Sequence, residues 1–177
     1  MRNRLAMACA RIAAFAALVS VVGCVSVVGP PAINVTGITT MTCSETAFAP
    51  FTSVGRATLA GQAFLKTRGG DVKYGAGNQV ILVPAVDCAV SWWGSAGRLW
   101  VGRFTFPSSF AFQKSMRQTT SNGEGRFEFK NIPTGKYYLR TEVTWEVPSM
   151  GIQGGLVGGV FDLADGEHKD LVLSSML

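Results

Sequence analysis

One histidine, His168, occurs in the 177 residues, and that scarcity removes most hydrolytic chemistry. A zinc peptidase needs two histidines and a carboxylate on the metal plus a glutamate base. A serine or cysteine hydrolase needs a histidine beside its nucleophile, and the G-x-S-x-G elbow is also missing. Runs of like charge and basic stripes are absent too, which argues against nucleic acid as a partner. There is no internal repeat, no heptad pattern and no amphipathic stretch long enough for a substantial helix. Asp162, Asp165 and Glu167 are the one cluster of carboxylates. Their place at a turn reads as a solvated loop, with a weak calcium site as the alternative. The expectation is a protein without catalytic residues, metal or cofactor.

What is present begins with an export segment. Arg2, Arg4 and Arg11 precede an apolar run from Ile12 to Gly23. A basic head, about a dozen apolar residues and a small residue before a break describe a secretory signal, and the run is short of the ~20 residues that a membrane span needs. Val21, Val22, Gly23 and Cys24 resemble the bacterial lipobox, in which the cysteine is lipidated and becomes the first residue. The competing reading is an uncleaved anchor from Ile12 to Val28. The lipoprotein reading divides the chain into a signal peptide (1–23), a lipidated N-terminus and tether (24–41) and a folded domain (42–177). Each buried methylene of the lipid contributes about 0.8 kcal/mol, so more than one acyl chain gives stable attachment. Val25, where a sorting signal would have Asp, implies an exported protein on the outer membrane, facing the periplasm.

Loss of residues 1–23 removes three of the sixteen basic residues and none of the eleven acidic ones, so the net charge falls from +5 to +2. The basic character of the chain therefore belongs largely to its signal. Of four cysteines, Cys9 leaves with the signal and Cys24 takes the lipid. Cys43 and Cys88 remain, and in an oxidising compartment a disulfide is the default. Two buried, unpaired thiols are the other reading.

The folded part alternates with period 2. In Arg126–Lys130, Phe127 and Phe129 share one face and three charges the other. After the Pro133 and Gly135 bend, Tyr137, Leu139, Thr141, Val143 and Trp145 alternate with Lys136, Tyr138, Arg140, Glu142, Thr144 and Glu146. Two such runs across a turn predict an antiparallel hairpin with one face covered by a second layer. Ser53–Lys66 predicts a first strand, with Val54, Ala57, Leu59, Ala63 and Leu65 inward and Gly61 at a bulge or bend. Gln79–Ala85 predicts a buried strand in which Val80 and Leu82 share a face. Gln113–Thr120 predicts a polar edge strand. Gly151–Leu163 predicts a glycine-rich strand with bulges, running close to another backbone, and Glu167–Ser175 the last strand. About seven strands and no helix predict an all-β, antiparallel β-sandwich.

Asn122, Gly125, Phe127, Phe129, Pro133, Gly135 and Tyr137 resemble the signature of carboxypeptidase regulatory-like domains. The stretches 61–66, 76–84 and 164–174 agree with that family in order. The resemblance implies a prealbumin-like (transthyretin-like) sandwich over roughly residues 55–174. It implies no activity, since this fold hosts many roles.

The departure from that pattern is an aromatic insertion at 91–112, with Trp92, Trp93, Trp100, Phe104, Phe106, Phe110 and Phe112. These are too many rings for one inward face of one strand. Trp92, Trp93, Trp100 and Phe104 are the candidate binding surface, because exposed rings offer flat faces to sugars or apolar partners. In the alternative, the rings cap an open end of the sandwich. Two functions follow. One is a lipid-anchored envelope accessory protein that presents its sandwich to an envelope protein partner. The other is a glycan or apolar-ligand binding module that uses residues 91–112.

Overall fold

The computed structural model describes residues 43–95 and 109–177, so Cys24, Trp100, Phe104 and Phe106 lie outside the described residues. The described residues form eight strands: β1 Ala57–Lys66, β2 Val72–Tyr74, β3 Gln79–Pro84, β4 Arg117–Thr120, β5 Arg126–Ile132, β6 Gly135–Val147, β7 Gly151–Leu163 and β8 His168–Leu173. One sheet runs β2-β1-β5 with β8 also on β1, and the other runs β4-β3-β6-β7. The Ala63 N–H donates to the Gly125 carbonyl, and the Ala63 carbonyl accepts from the Gly75 N–H. Since both groups of one strand residue point to the same side, β5 and β2 follow one another along one side of β1, and β8 takes the other.

The fold is the all-β sandwich that the alternation predicts. Leu59, Ala63, Phe127, Phe129 and Leu173 from one sheet meet Val80, Leu82, Tyr137, Leu139, Val143 and Val157 from the other. The turn before β5 is built by Asn122, whose Oδ1 accepts from the Glu124 and Arg126 N–H groups at 3.0 and 2.9 Å. Gly125 completes it at φ 72°, where a Cβ would lie 2.4 Å from the Ala63 carbonyl oxygen.

Several details differ from the sequence-based expectation. The runs 126–132 and 135–147 do not pair as a hairpin: β5 pairs with β1, and β6 with β3 and β7. The bend at Pro133 carries the chain from one sheet to the other, so the two apolar faces meet across the core. Period 2 states that each strand is half buried, and is silent on which strand is its neighbour. The real hairpin is β6–β7, and its ladder runs without a break from Gly135↔Leu163 to Val147↔Gly151, so β7 has no bulge.

β8 joins β1 in parallel, from Thr58↔His168 to Ala63↔Leu173. β1 begins at Ala57, which leaves Val54 83% exposed rather than inside. The register of β1 shifts between Ala57 and Leu59, and Gly61 instead marks a close approach: a Cβ there would meet the Phe127 ring and the Leu171 carbonyl at 2.7 Å. Gln113–Ser115 are helical, so the edge strand starts only at Arg117.

The outer face of the β3–β6 sheet is covered as well. Ile81 and Val83 on β3 and Tyr138 on β6 point away from the main core into a second cluster with Phe48, Ala89, Trp92, Trp93, Ala111 and Phe112. Among the described residues the cover includes three short helices, α1 Glu45–Phe48, α2 Val90–Ser95 and α3 Phe110–Ser115. It explains why β3 is apolar on both faces. It also corrects the expectation that Tyr138 and Arg140 face solvent, since both are buried.

Candidate functional site

Cys43 and Cys88 form a disulfide that ties the segment just ahead of α1 to the turn before α2, with Cα atoms 5.4 Å apart. The helices are held to the sheet by rings. Phe48 and Phe112 meet edge to face at 5.4 Å, Trp92 and Phe112 at 5.9 Å, and Trp93 stacks on Tyr138 at 4.5 Å. Trp92 and Trp93 are 1% and 6% exposed. They are core residues of the helical layer and offer no exposed face to a ligand, which corrects their place in the candidate surface. Trp100 and Phe104, the other two members, fall outside the described residues.

Among the described residues of this region, the exposed ring is Phe110, at 75%. It stands on the rim of a depression of about 260 Å³ lined by Glu45, Thr46, Ala49, Thr52, Ala111 and Lys114. Phe110 and Lys114 are one helical turn apart on α3 and so share a face. Glu45 reaches across from α1, and its Oε2 accepts from the Ala111 N–H at 2.7 Å. A hydrogen bond from the Ser109 hydroxyl, with the Ala111 N–H, holds the Glu45 carboxyl below its ordinary value of 4.5, so it is a carboxylate at neutral pH. The Phe110 ring, the Glu45 carboxylate, the Lys114 ammonium and two threonines thus surround one shallow, mostly apolar site, in which the Thr46 hydroxyl bonds to that of Ser44 and the Thr52 hydroxyl donates to the Ala49 carbonyl. That set suits an uncharged polyhydroxylated ligand, with the ring under its C–H face and the polar groups at its hydroxyls.

The other candidates of the sequence are otherwise engaged. Asp165 forms a two-pronged ion pair with Arg56, which lowers its carboxyl below the usual value. Glu167 accepts from the Ala164 N–H at 2.7 Å and lies 3.1 Å from the Lys169 ammonium. Asp162 lies 3.9 Å from the Lys136 ammonium. Among the described residues no group of three or more His, Cys, Asp or Glu side chains could hold a metal ion. His168 is exposed at the start of β8. Arg140 on β6 is buried opposite Ile81, and burial pulls its guanidinium down to about 10, against the Glu142 carboxylate 3.5 Å away.

Sequence reasoning picked out Phe110 within the aromatic stretch but missed Glu45 and Lys114. The i, i+4 spacing of Phe110 and Lys114 was a usable signal. Glu45 was not readable, because it meets α3 only through the fold, 66 residues away.

No protein-family model and no curated protein sequence matches the chain. Among solved structures, it is similar to a Pseudomonas aeruginosa protein described as a candidate carbohydrate-binding protein. The TM-score is 0.62 at 25% identity, over 76% of this chain and 98% of the other. It also matches the major pilin subunit of Bacillus cereus at TM-score 0.39 and 10% identity, over 68% of this chain and 30% of the pilin, a likeness too slight to bear on function.

Proposed function

We propose that the protein is a non-catalytic carbohydrate-binding module held at the cell envelope by a lipid on Cys24. The observation that carries the reading is the likeness to the Pseudomonas aeruginosa candidate carbohydrate-binding protein, which spans nearly all of that chain. The Phe110 depression supports it, since an exposed ring beside Glu45, Thr46, Thr52 and Lys114 is the equipment such a module uses. The lipobox at Val21–Cys24 supports the anchor, and Asn122, Gly125 and Pro133 support a sandwich of the carboxypeptidase regulatory-like type. An envelope protein partner is the other reading of the sequence.

Affinity electrophoresis of the folded, lipid-free protein through gels holding neutral and acidic envelope polysaccharides tests the reading. Retardation in at least one gel, lost in Phe110→Ala at an unchanged unfolding midpoint, is the expected result. Equal mobility of the wild-type protein in every gel overturns it. The anchor is tested separately by incorporation of labelled palmitate in cells, which Cys24→Ser abolishes.

A further inference from the structure

We propose that the Phe110 depression selects an acidic glycan, a sugar whose ring lies on Phe110 and whose anionic substituent is received by the Lys114 ammonium. The proposal rests on the carbohydrate reading and names the class of sugar that the site prefers.

The polar groups that line the depression differ in what they have left to offer. Glu45 is spent on the protein: its carboxylate accepts from the Ala111 N–H at 2.7 Å and from the Ser109 hydroxyl, and so holds α1 against the start of α3. The Thr52 hydroxyl donates to the Ala49 carbonyl at 2.9 Å, and the hydroxyls of Thr46 and Ser44 share one hydrogen bond of 2.7 Å. Lys114 is the exception. Among the described residues its exposed ammonium takes part in no ion pair or hydrogen bond, so all three of its N–H donors are on offer.

Position turns that difference into a preference. Phe110 and Lys114 are four residues apart on α3, which sets the ammonium beside the exposed ring. Glu45 is bonded at the start of the same helix and Lys114 belongs to its last turn, so the spent carboxylate and the free cation stand towards opposite ends of α3. An uncharged sugar stacked on Phe110 leaves that cation unanswered. A carboxylate or phosphate on the same sugar meets it with charge-assisted hydrogen bonds, which are stronger than those between neutral groups. Lysine acts as a point charge and takes either group.

Biolayer interferometry of the full chain in non-ionic detergent, on two pairs of immobilised polymers, tests the proposal. The pairs are polygalacturonate with its methyl ester, and dextran phosphate with dextran, so that charge is the difference within each pair. Binding about fivefold tighter or more to the charged member of at least one pair is expected, the size of one exposed ion pair. The pair that shows it tells carboxylate from phosphate. Lys114→Gln should remove that preference at an unchanged unfolding midpoint, and Lys114→Arg should keep it. Lys66→Gln, an equal change of charge at the end of β1, should leave binding as it is. Equal binding to both members of each pair overturns the proposal and leaves the carbohydrate reading in place. A loss in Lys66→Gln as large as in Lys114→Gln overturns it too, because net charge would then be the attraction. Absence of binding to all four polymers also overturns it, and the polysaccharide gels then decide the carbohydrate reading on their own.

Discussion

Trp93 lies flat on Tyr138, with ring centroids 4.5 Å apart and planes 11° from parallel. One ring comes from the aromatic insertion and the other from the face of β6 that alternation assigns to solvent. Their contact joins the helical layer to the sandwich and makes β6 a strand buried on both sides. The layer is thus a second core rather than an appendage.

Trp93→Ala is therefore expected to cost about 3–5 kcal/mol, the range for removing a large aromatic side chain from a packed interior. Urea denaturation followed by circular dichroism measures it. A shift of the midpoint worth less than 1 kcal/mol would mean that the layer does not share in the global stability.

The disulfide closes that layer at its start. Cys43 and Cys88 are 45 residues apart, and in the chain-entropy model such a link stabilises by roughly 4 kcal/mol. Reduction, or the Cys43→Ala/Cys88→Ala double variant, should lower the unfolding midpoint and move tryptophan emission to the red as Trp92 and Trp93 gain water. Identical midpoints with and without reductant would show that the rings alone hold the helices.

The sandwich was legible because alternation is local: Phe127, Phe129, Leu139 and Val143 declare their faces within a few residues. The partners of strands were not legible, and the bend at Pro133 reads equally well as a hairpin turn or as a crossing between sheets. Tyr138 and Arg140 look like solvent-facing residues of a half-buried strand, since nothing near them in sequence announces a third layer. Phe110 could be named as an aromatic but not as an exposed one. Its exposure depends on Phe48, Trp92 and Phe112 filling the space beneath the helices.

Gly154 tests how closely β7 lies on β6. It sits at φ 109°, and a Cβ there would be 2.0 Å from the Val143 carbonyl oxygen. That contact is with backbone and not with a flexible side-chain end, so Gly154→Ala must part the two strands and strain its own backbone. We expect loss of soluble, folded protein, or a stability loss of about 3 kcal/mol or more, on the order of the largest single-residue effects. Gly151→Ala, with nothing within 4 Å of its Cβ but a φ of 72°, is the milder comparison. Equal effects of the two would place the cost in backbone conformation rather than in the close approach.

The Tyr137 hydroxyl donates to the Pro133 carbonyl at 2.8 Å and pins the crossing between the sheets. Burial pushes its phenol up to about 12, with the Arg117 charge pulling the other way. In the unfolded chain the phenol titrates near 10. The folded state therefore holds its proton more tightly, so this contribution is complete below pH 10 and is lost as the pH rises from about 10 towards 12. Tyr137→Phe removes that dependence together with the hydrogen bond, at about 1–2 kcal/mol for a buried carbonyl left without its donor. Urea midpoints of the two proteins at pH 8 and at pH 11 measure both effects. Every other titrating group is common to both, so the difference between the two proteins isolates the phenol. The gap between wild type and Tyr137→Phe should narrow at the higher pH, and a gap that stays constant would mean that the phenol ionises in the folded protein as freely as in the unfolded chain.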